Sequence, residues 1–351
     1  MASLTDSKAN AALLRATNDV AVSSMGPVRA AGKTLRYLAF HEYPAWDALV
    51  ELSSQGSLFC QSWYLNAVGG RNRILGYFEN GRLVAGIPLH YERRLGGRLC
   101  CMPKLTPAWG VIIEALAGKP VTIAAREMEI LSVFAERLSS EKIFIQAFHP
   151  SLTNWLPLRW SGFRQSSRFT YILNDLSDCD RVWNEMAEGC RRQIRKAERQ
   201  GIRVQSCDSE TVFNAARKTF QRQKTKVPFS AADFDTLCRA AAGRDAGRCF
   251  AAQDSSGRVH AAALLLWDTK RAYYTAGGGD PVLRTSGATS LLIWHLIQFS
   301  ASRSAIFDFE GSDNRPIGHF FRSFGATLQP YNYITKFPRW LAALLAFGGR
   351  I

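Results

Sequence analysis

The chain has 351 residues, with 44 Lys+Arg against 29 Asp+Glu and a formal charge of +15. This length suits two domains, each able to bury a core, and the charge favours polyanionic company: a nucleic acid, a nucleotide cofactor or an anionic membrane surface. No apolar stretch approaches the ~20 residues that span a bilayer, and the eight cysteines form no C-x-x-C pair and no metal-ligand spacing with histidine. Reduced core cysteines in a cytoplasmic protein are expected, with no metal.

Residues 1–33, rich in Ala, Ser and Thr with both charge signs, read as a loose tail. Residues 34–40 alternate like a strand, and 44–52 and 61–68 read as short helices. Two alternating runs, 73–78 and 82–91, flank Asn80-Gly81, a strong hairpin signal. Strands are expected near 99–102 and 110–113, then a helix over 121–139 and strands over 142–148 and 168–173.

The second half repeats that order. A short strand at 202–206 precedes helices at 210–223 and 231–242, and a hairpin at 248–253 and 259–267 turns at Ser255-Ser256-Gly257. A strand at 272–275, a helix at 288–300, a strand at 306–309, a short helix near 317–324 and a strand near 331–336 follow. Two copies of one α/β domain are the consequence, over 34–174 and 175–337. Between them, 177–201 reads as one helix capped by Ser177 with Asp180 and ended by Gly201. Its buried stripe is Trp183, Met186, Cys190, Ile194 and Ala197, and Arg192, Arg195, Lys196 and Arg199 make a basic face suited to an anion or simply to solvent. The run 338–351 is apolar between arginines; it packs as a terminal helix or dips into a membrane surface.

A strand running through a glycine turn into a helix aims unpaired N–H groups and the positive end of the helix dipole at whatever lies ahead, which is how proteins hold phosphate. Residues 272–329 contain such a turn in Arg284, Thr285, Ser286, Gly287, Ala288 and Thr289. With the element order around it, the turn resembles the phosphate-binding signature of the GNAT acyltransferases: Arg284 and Gly287 match its anchors, and Thr289 departs from its small last residue. More widely, 192–204, 216–224, Phe307 to Gly311 and 320–326 resemble the Fem-type branch of that superfamily, over about 183–336. The resemblance implies two tandem GNAT-like domains, each a mixed, mostly antiparallel sheet flanked by helices. It also implies transfer of an acyl group from acyl-CoA, or of an aminoacyl group from aminoacyl-tRNA, to an amine of a saccharide or peptide in cell-envelope or exopolysaccharide biosynthesis. The first domain, without a comparable turn, is expected to be a degenerate copy on the acceptor side.

Such chemistry needs a neutral amine, a stabilised oxyanion and a protonated leaving group. Asp308, mid-strand between two phenylalanines, reads either as the base or as a structural hydrogen-bonding group. Lys224 could steady an oxyanion or lie solvated on the surface; Tyr274 is the choice of the Tyr273–Tyr274 pair for the cleft, and His319 reads as packing. There is no Walker loop, Rossmann fingerprint or nucleophile elbow. The partners expected are the acceptor, tRNA as an alternative donor, and a membrane surface at the C-terminus, but no DNA. A basic nucleic-acid-binding or envelope-assembly scaffold that retained the fold without turnover is the competing reading.

Overall fold

The computed structural model describes residues 28–30, 32–94, 97–311 and 315–338. They divide into two compact units, one of 28–168 with 330–338 and one of Phe169–Gln329. In the first, β1 (Val28–Ala30) and β2 (Lys33–Tyr37) precede α1 (Tyr43–Leu52) and α2 (Ser62–Ala67). Then come β3 (Arg71–Glu79), β4 (Arg82–Arg94), β5 (Gly97–Cys101), β6 (Ile112–Ile113), α3 (Pro120–Leu138), β7 (Phe144–Ala147), α4 (Leu156–Trp160) and the start of β8 (Arg164–Leu173). Strands β1 to β5 pair antiparallel in chain order, and β7 joins β5 in parallel after α3 crosses over. The hairpin turn falls at Asn80 and Gly81, whose φ of 48° and 81° are the two positive values that a two-residue turn demands. Helix α3 buries Ile130, Leu131, Phe134 and Leu138 against Tyr77, Val84 and Phe144.

The second unit runs α5 (Cys179–Glu185), α6 (Glu188–Arg199), β9 (Arg203–Ser206), α7 (Ser209–Arg222), α8 (Ala231–Ala242), β10 (Gly247–Gln253), β11 (Val259–Trp267) and β12 (Arg271–Gly279). Helix α9 (Ala288–Ser300), β13 (Ile306–Gly311), α10 (Arg315–Arg322) and β14 (Thr327–Lys336) complete it. Strands β9 to β12 are antiparallel neighbours, β13 joins β12 in parallel, and the end of β8 pairs antiparallel with β13. Helix α9 is the crossover, and it is apolar nearly all round because Leu292, Ile293, Leu296 and Ile297 are all buried. The two units thus share one pattern: a run of antiparallel strands, a crossover helix, a parallel strand. Each is a mixed, mostly antiparallel sheet flanked by helices.

Strand β14 starts in the second unit and ends in the first, where Tyr333 to Lys336 lie opposite Ala147 to Phe144 of β7. Chain order alone gives that segment to the second domain, since nothing local marks a distant partner. Other local readings change too. Val28–Ala30 is a strand paired with β2 inside the expected tail. The helix expected over 177–201 is two helices, because Met186 and Ala187 are extended and the Ala187 N–H donates to Ser323 O. Its cap is Asp178, which accepts from the Arg181 N–H, while Gly201 ends the second helix at φ 71° as expected. The buried stripe of Met186, Cys190, Ile194 and Ala197 is present, with Trp183 packed against it. The apolar run beyond 338 and most of 1–33 lie outside the described residues. Among the described residues no helix is long and apolar enough to cross a membrane.

Candidate functional site

The second unit brings its chemistry to the C-terminal end of β12. That strand closes on Gly277-Gly278-Gly279, and a Cβ on Gly278 would lie 2.3 Å from Ala215 O and 2.4 Å from Thr219 Oγ1, so only glycine lets α7 press onto the strand here. Residues Arg284–Ser286 then make one 3₁₀ turn, Gly287 takes φ 81°, and α9 begins. The turn is anchored from two sides. Lys196 Nζ of α6 donates to Thr285 O at 2.7 Å, and buried Ser286 Oγ meets His260 Nδ1 at 3.0 Å. His260 is in turn oriented by Asp254, 3.1 Å from its Nε2.

The first amides of a helix have no partner within it. Gly287 offers no side chain to cap them, and only Ala288 N finds Ser286 Oγ, at 3.3 Å. The amides of Thr289 and Ser290 are left for an external acceptor, with exposed Arg284 and Thr285 beside them. A diphosphate fits this donor set.

Beside the turn, β12 and β13 part. Their parallel ladder runs from Arg271–Ile306 to Tyr273–Asp308 and stops, although β12 continues to Gly279 and β13 to Gly311. Both strands carry a bulge where they separate. Leu264 and Leu265 of β11 face Ala276 and Tyr274, which leaves Thr275 extra. On the other side β13 places two residues, Phe309 and Glu310, between its pairs at Asp308 and Gly311, where β8 places one, Tyr171. Bulges bend strands and re-aim side chains, and here a pair of them opens a fork.

Two carboxylates stand at the fork with opposite fates. Asp308 Oδ2 is 2.6 Å from Arg271 Nη1, and its Oδ1 accepts from Thr170 Oγ1 at 2.5 Å and from the Glu310 N–H at 2.9 Å. Both oxygens are engaged, Oδ2 in a buried ion pair and Oδ1 by two donors. Glu310, two residues on, is only 8% exposed, holds φ at 60°, and has an Oε1 with no hydrogen-bond partner. Positive φ in a residue with a Cβ costs about 1 kcal/mol or more and persists only where the surroundings enforce it. Burial, and then the charge of Asp308, hold its carboxyl well above the usual range.

The sequence singled out Asp308 and passed over Glu310. Strand alternation gives the two the same face, and only the bulge, together with an arginine from the neighbouring strand, separates their roles. The glycine after Glu310 was the one local hint.

Of the other candidates, Tyr274 is buried, its ring packed edge-on to Phe321, and burial raises its hydroxyl to about 12. Its hydroxyl lies next to Gly277 on β12. Lys224 is exposed at φ 56°, just past the end of α7. On α6, Lys196 reaches the turn, Arg195 is 3.5 Å from Glu188, and Arg192 and Arg199 are exposed. The structure therefore gathers 284–289, Lys196, Asp308 and Glu310 in one unit, and leaves Lys224 on its surface.

Residues 185–316, which enclose the turn, the fork and both carboxylates, match the family described as acetyltransferase (GNAT) domain. The second unit thus carries a GNAT-type acetyltransferase domain. No curated protein matches it significantly. Among solved structures, FemX is similar at 14% identity and TM-score 0.62, over 89% of this chain and 99% of that one. L-PGS from Bacillus licheniformis is similar at 11% identity and TM-score 0.53, over 89% and 96%. A tandem GNAT protein from the clavulanic acid biosynthesis pathway is similar at 10% identity and TM-score 0.50, over 86% and 97%. These likenesses are of fold, and they extend beyond the GNAT match to both units.

Proposed function

We propose that this GNAT protein is an N-acyltransferase that takes an acyl group from acyl-CoA and gives it to an amine of a saccharide or peptide acceptor, in the cell-envelope setting that the Fem-type resemblance implies. The observation that carries this reading is the fork of β12 and β13, opening beside the turn that presents the Thr289 and Ser290 amides. The diphosphate of the donor would sit on that turn, with Arg284 and Lys196 supplying positive charge, and the thioester would supply the activated acyl carbon at the fork.

Glu310, rather than Asp308, moves the proton. A buried carboxyl held neutral can give its proton to the leaving sulfur as the carbon–sulfur bond breaks, and as a carboxylate it can then accept the proton of the newly acylated nitrogen. One turnover returns it to its starting state. Asp308 fixes the strand by holding Arg271, Thr170 and the Glu310 N–H in place.

The test is Glu310→Gln, followed by thiol release from acetyl-CoA with a panel of amino sugars and lysyl peptides. A drop in kcat of about 10²–10³-fold is expected, with an unchanged acetyl-CoA thermal shift. Unchanged turnover would refute the role of Glu310, and a wild-type protein that no acyl-CoA stabilises would refute the donor site. The same variant should be more stable than wild type in alkaline buffer. Because the folded value of Glu310 lies above its unfolded one, its contribution to stability is complete below the ordinary carboxyl value and is lost as pH rises through the folded value. Glutamine cannot ionise, so urea midpoints of the two proteins should converge toward pH 4 and separate toward pH 9.

A further inference from the structure

In the first unit, away from the GNAT match, strand pairing brings Cys101 of one strand beside His90 and Glu92 of its neighbour. His90 of β4 lies directly opposite Cys101 of β5, and Glu92 is two residues along β4 on the same face. His Nε2 or Nδ1, the carboxylate and Sγ offer ligand atoms that all lie within 4.8 Å of one another. His90 and Cys101 are buried, at 7% and 8% exposure, while the Glu92 side chain keeps 25% and borders solvent.

The neighbouring loop determines what His90 presents. Asn72 of β3 uses both hydrogens of its amide nitrogen on the carbonyls of Leu65 and Gly69, at 2.5 and 2.8 Å. Its Oδ1 must then be the atom 2.7 Å from His90 Nδ1, and an oxygen acceptor there requires Nδ1 to carry the hydrogen. In the neutral ring the Nε2 lone pair consequently faces Glu92 Oε1, 3.7 Å away. A cation between them would be held by both. Gly70 closes the loop on the ring: at φ 82° its position leaves a Cβ only 2.5 Å from His90 Cε1.

We propose that His90 Nε2, Glu92 and Cys101 bind one zinc-class divalent cation, with Asn72 orienting the imidazole. Imidazole, thiolate and carboxylate together suit zinc, and a histidine whose second nitrogen donates to a fixed oxygen is the usual outer-shell arrangement. Bonds of about 2.0–2.3 Å in a tetrahedron place ligand atoms roughly 3.3–3.8 Å apart. The His90–Glu92 edge, at 3.7 Å, already has that length, and the other two are no longer than 4.8 Å. A water would complete the fourth position. The sequence gives no sign of the site because its ligands come from two strands, joined by a register and not by spacing.

Cobalt(II) titrated into the tag-free, full-length protein under reducing conditions tests this. The expected result is one equivalent bound with a near-ultraviolet thiolate-to-cobalt charge-transfer band and tetrahedral visible absorption, both displaced by zinc. Cys101→Ser should remove the charge-transfer band, Asn72→Ala should weaken affinity about 10–100-fold, and Cys60→Ser should change neither. Absence of a charge-transfer band from wild-type protein at stoichiometric cobalt would overturn the proposal without recourse to any variant. So would a band that survives Cys101→Ser. Glu310→Gln should leave the cobalt spectrum intact, since this site does not depend on the acyl-transfer reading.

Discussion

Truncating Asp308 to alanine is expected to lower stability by about 3–5 kcal/mol, the cost of leaving a buried charge without its partner. Arg271 is 6% exposed, and its guanidinium relies on Asp308 Oδ2 at 2.6 Å, with Gln329 Oε1 at 3.3 Å as its other oxygen. Alanine removes the counter-ion, the acceptor for Thr170 and the acceptor for the Glu310 N–H together. Replacing both partners should behave differently. Arg271→Met with Asp308→Leu removes the charges along with their desolvation, and the pair is expected to fall within about 1–2 kcal/mol of wild type. Urea midpoints of the single and double variants measure this directly. If Asp308→Ala unfolded at the wild-type midpoint, the buried pair would not be the structural element described here. In kinetics, Asp308→Asn should lose less kcat per folded molecule than Glu310→Gln, because it perturbs the strand and not the proton.

The second large effect is at the turn. Gly287→Ala is expected to weaken acyl-CoA binding by about 100-fold or more, through two separate penalties. The residue sits at φ 81°, where an L side chain costs about 1–2 kcal/mol. An added Cβ would also lie 2.2 Å from Gln193 O, a main-chain atom of α6. Backbone inside a helix cannot rotate out of the way as a side chain can, so the turn must move and the amides of Thr289 and Ser290 lose their aim. Gly257→Ala separates the two penalties. Gly257 has φ 74° but open space around its Cβ, so that variant should bear the conformational cost and bind acyl-CoA normally. Isothermal titration on both proteins checks the contrast; equal affinities would mean that the turn does not hold the donor.

The elements legible in the sequence were those that local physics determines. Asn80-Gly81 marked its hairpin because two consecutive positive φ values leave few residue choices. Helices α8 and α9 were expected within a residue or two of their ends, since each carries an unbroken apolar pattern. The repeated order of elements pointed to two GNAT-like copies. What escaped depends on partners far along the chain. The break at Met186-Ala187 is held by a bond to Ser323, and the end of β14 is placed by β7, 186 positions away at the Tyr333–Ala147 pair. The site divides in the same way. The turn 284–289 was readable from glycine and helix chemistry, but which of Asp308 and Glu310 is tied into an ion pair is decided by Arg271 on the next strand and a bulge of one residue.

Hydrogen–deuterium exchange with and without a non-transferable acyl-CoA analogue tests the central claim most directly. Saturating analogue should slow exchange at 274–279, 287–291 and 309–311, the two arms of the fork and the start of α9, and protection should be lost in Gly287→Ala. An analogue that leaves those three segments unprotected, or protects only segments elsewhere, would contradict the assignment of the donor site.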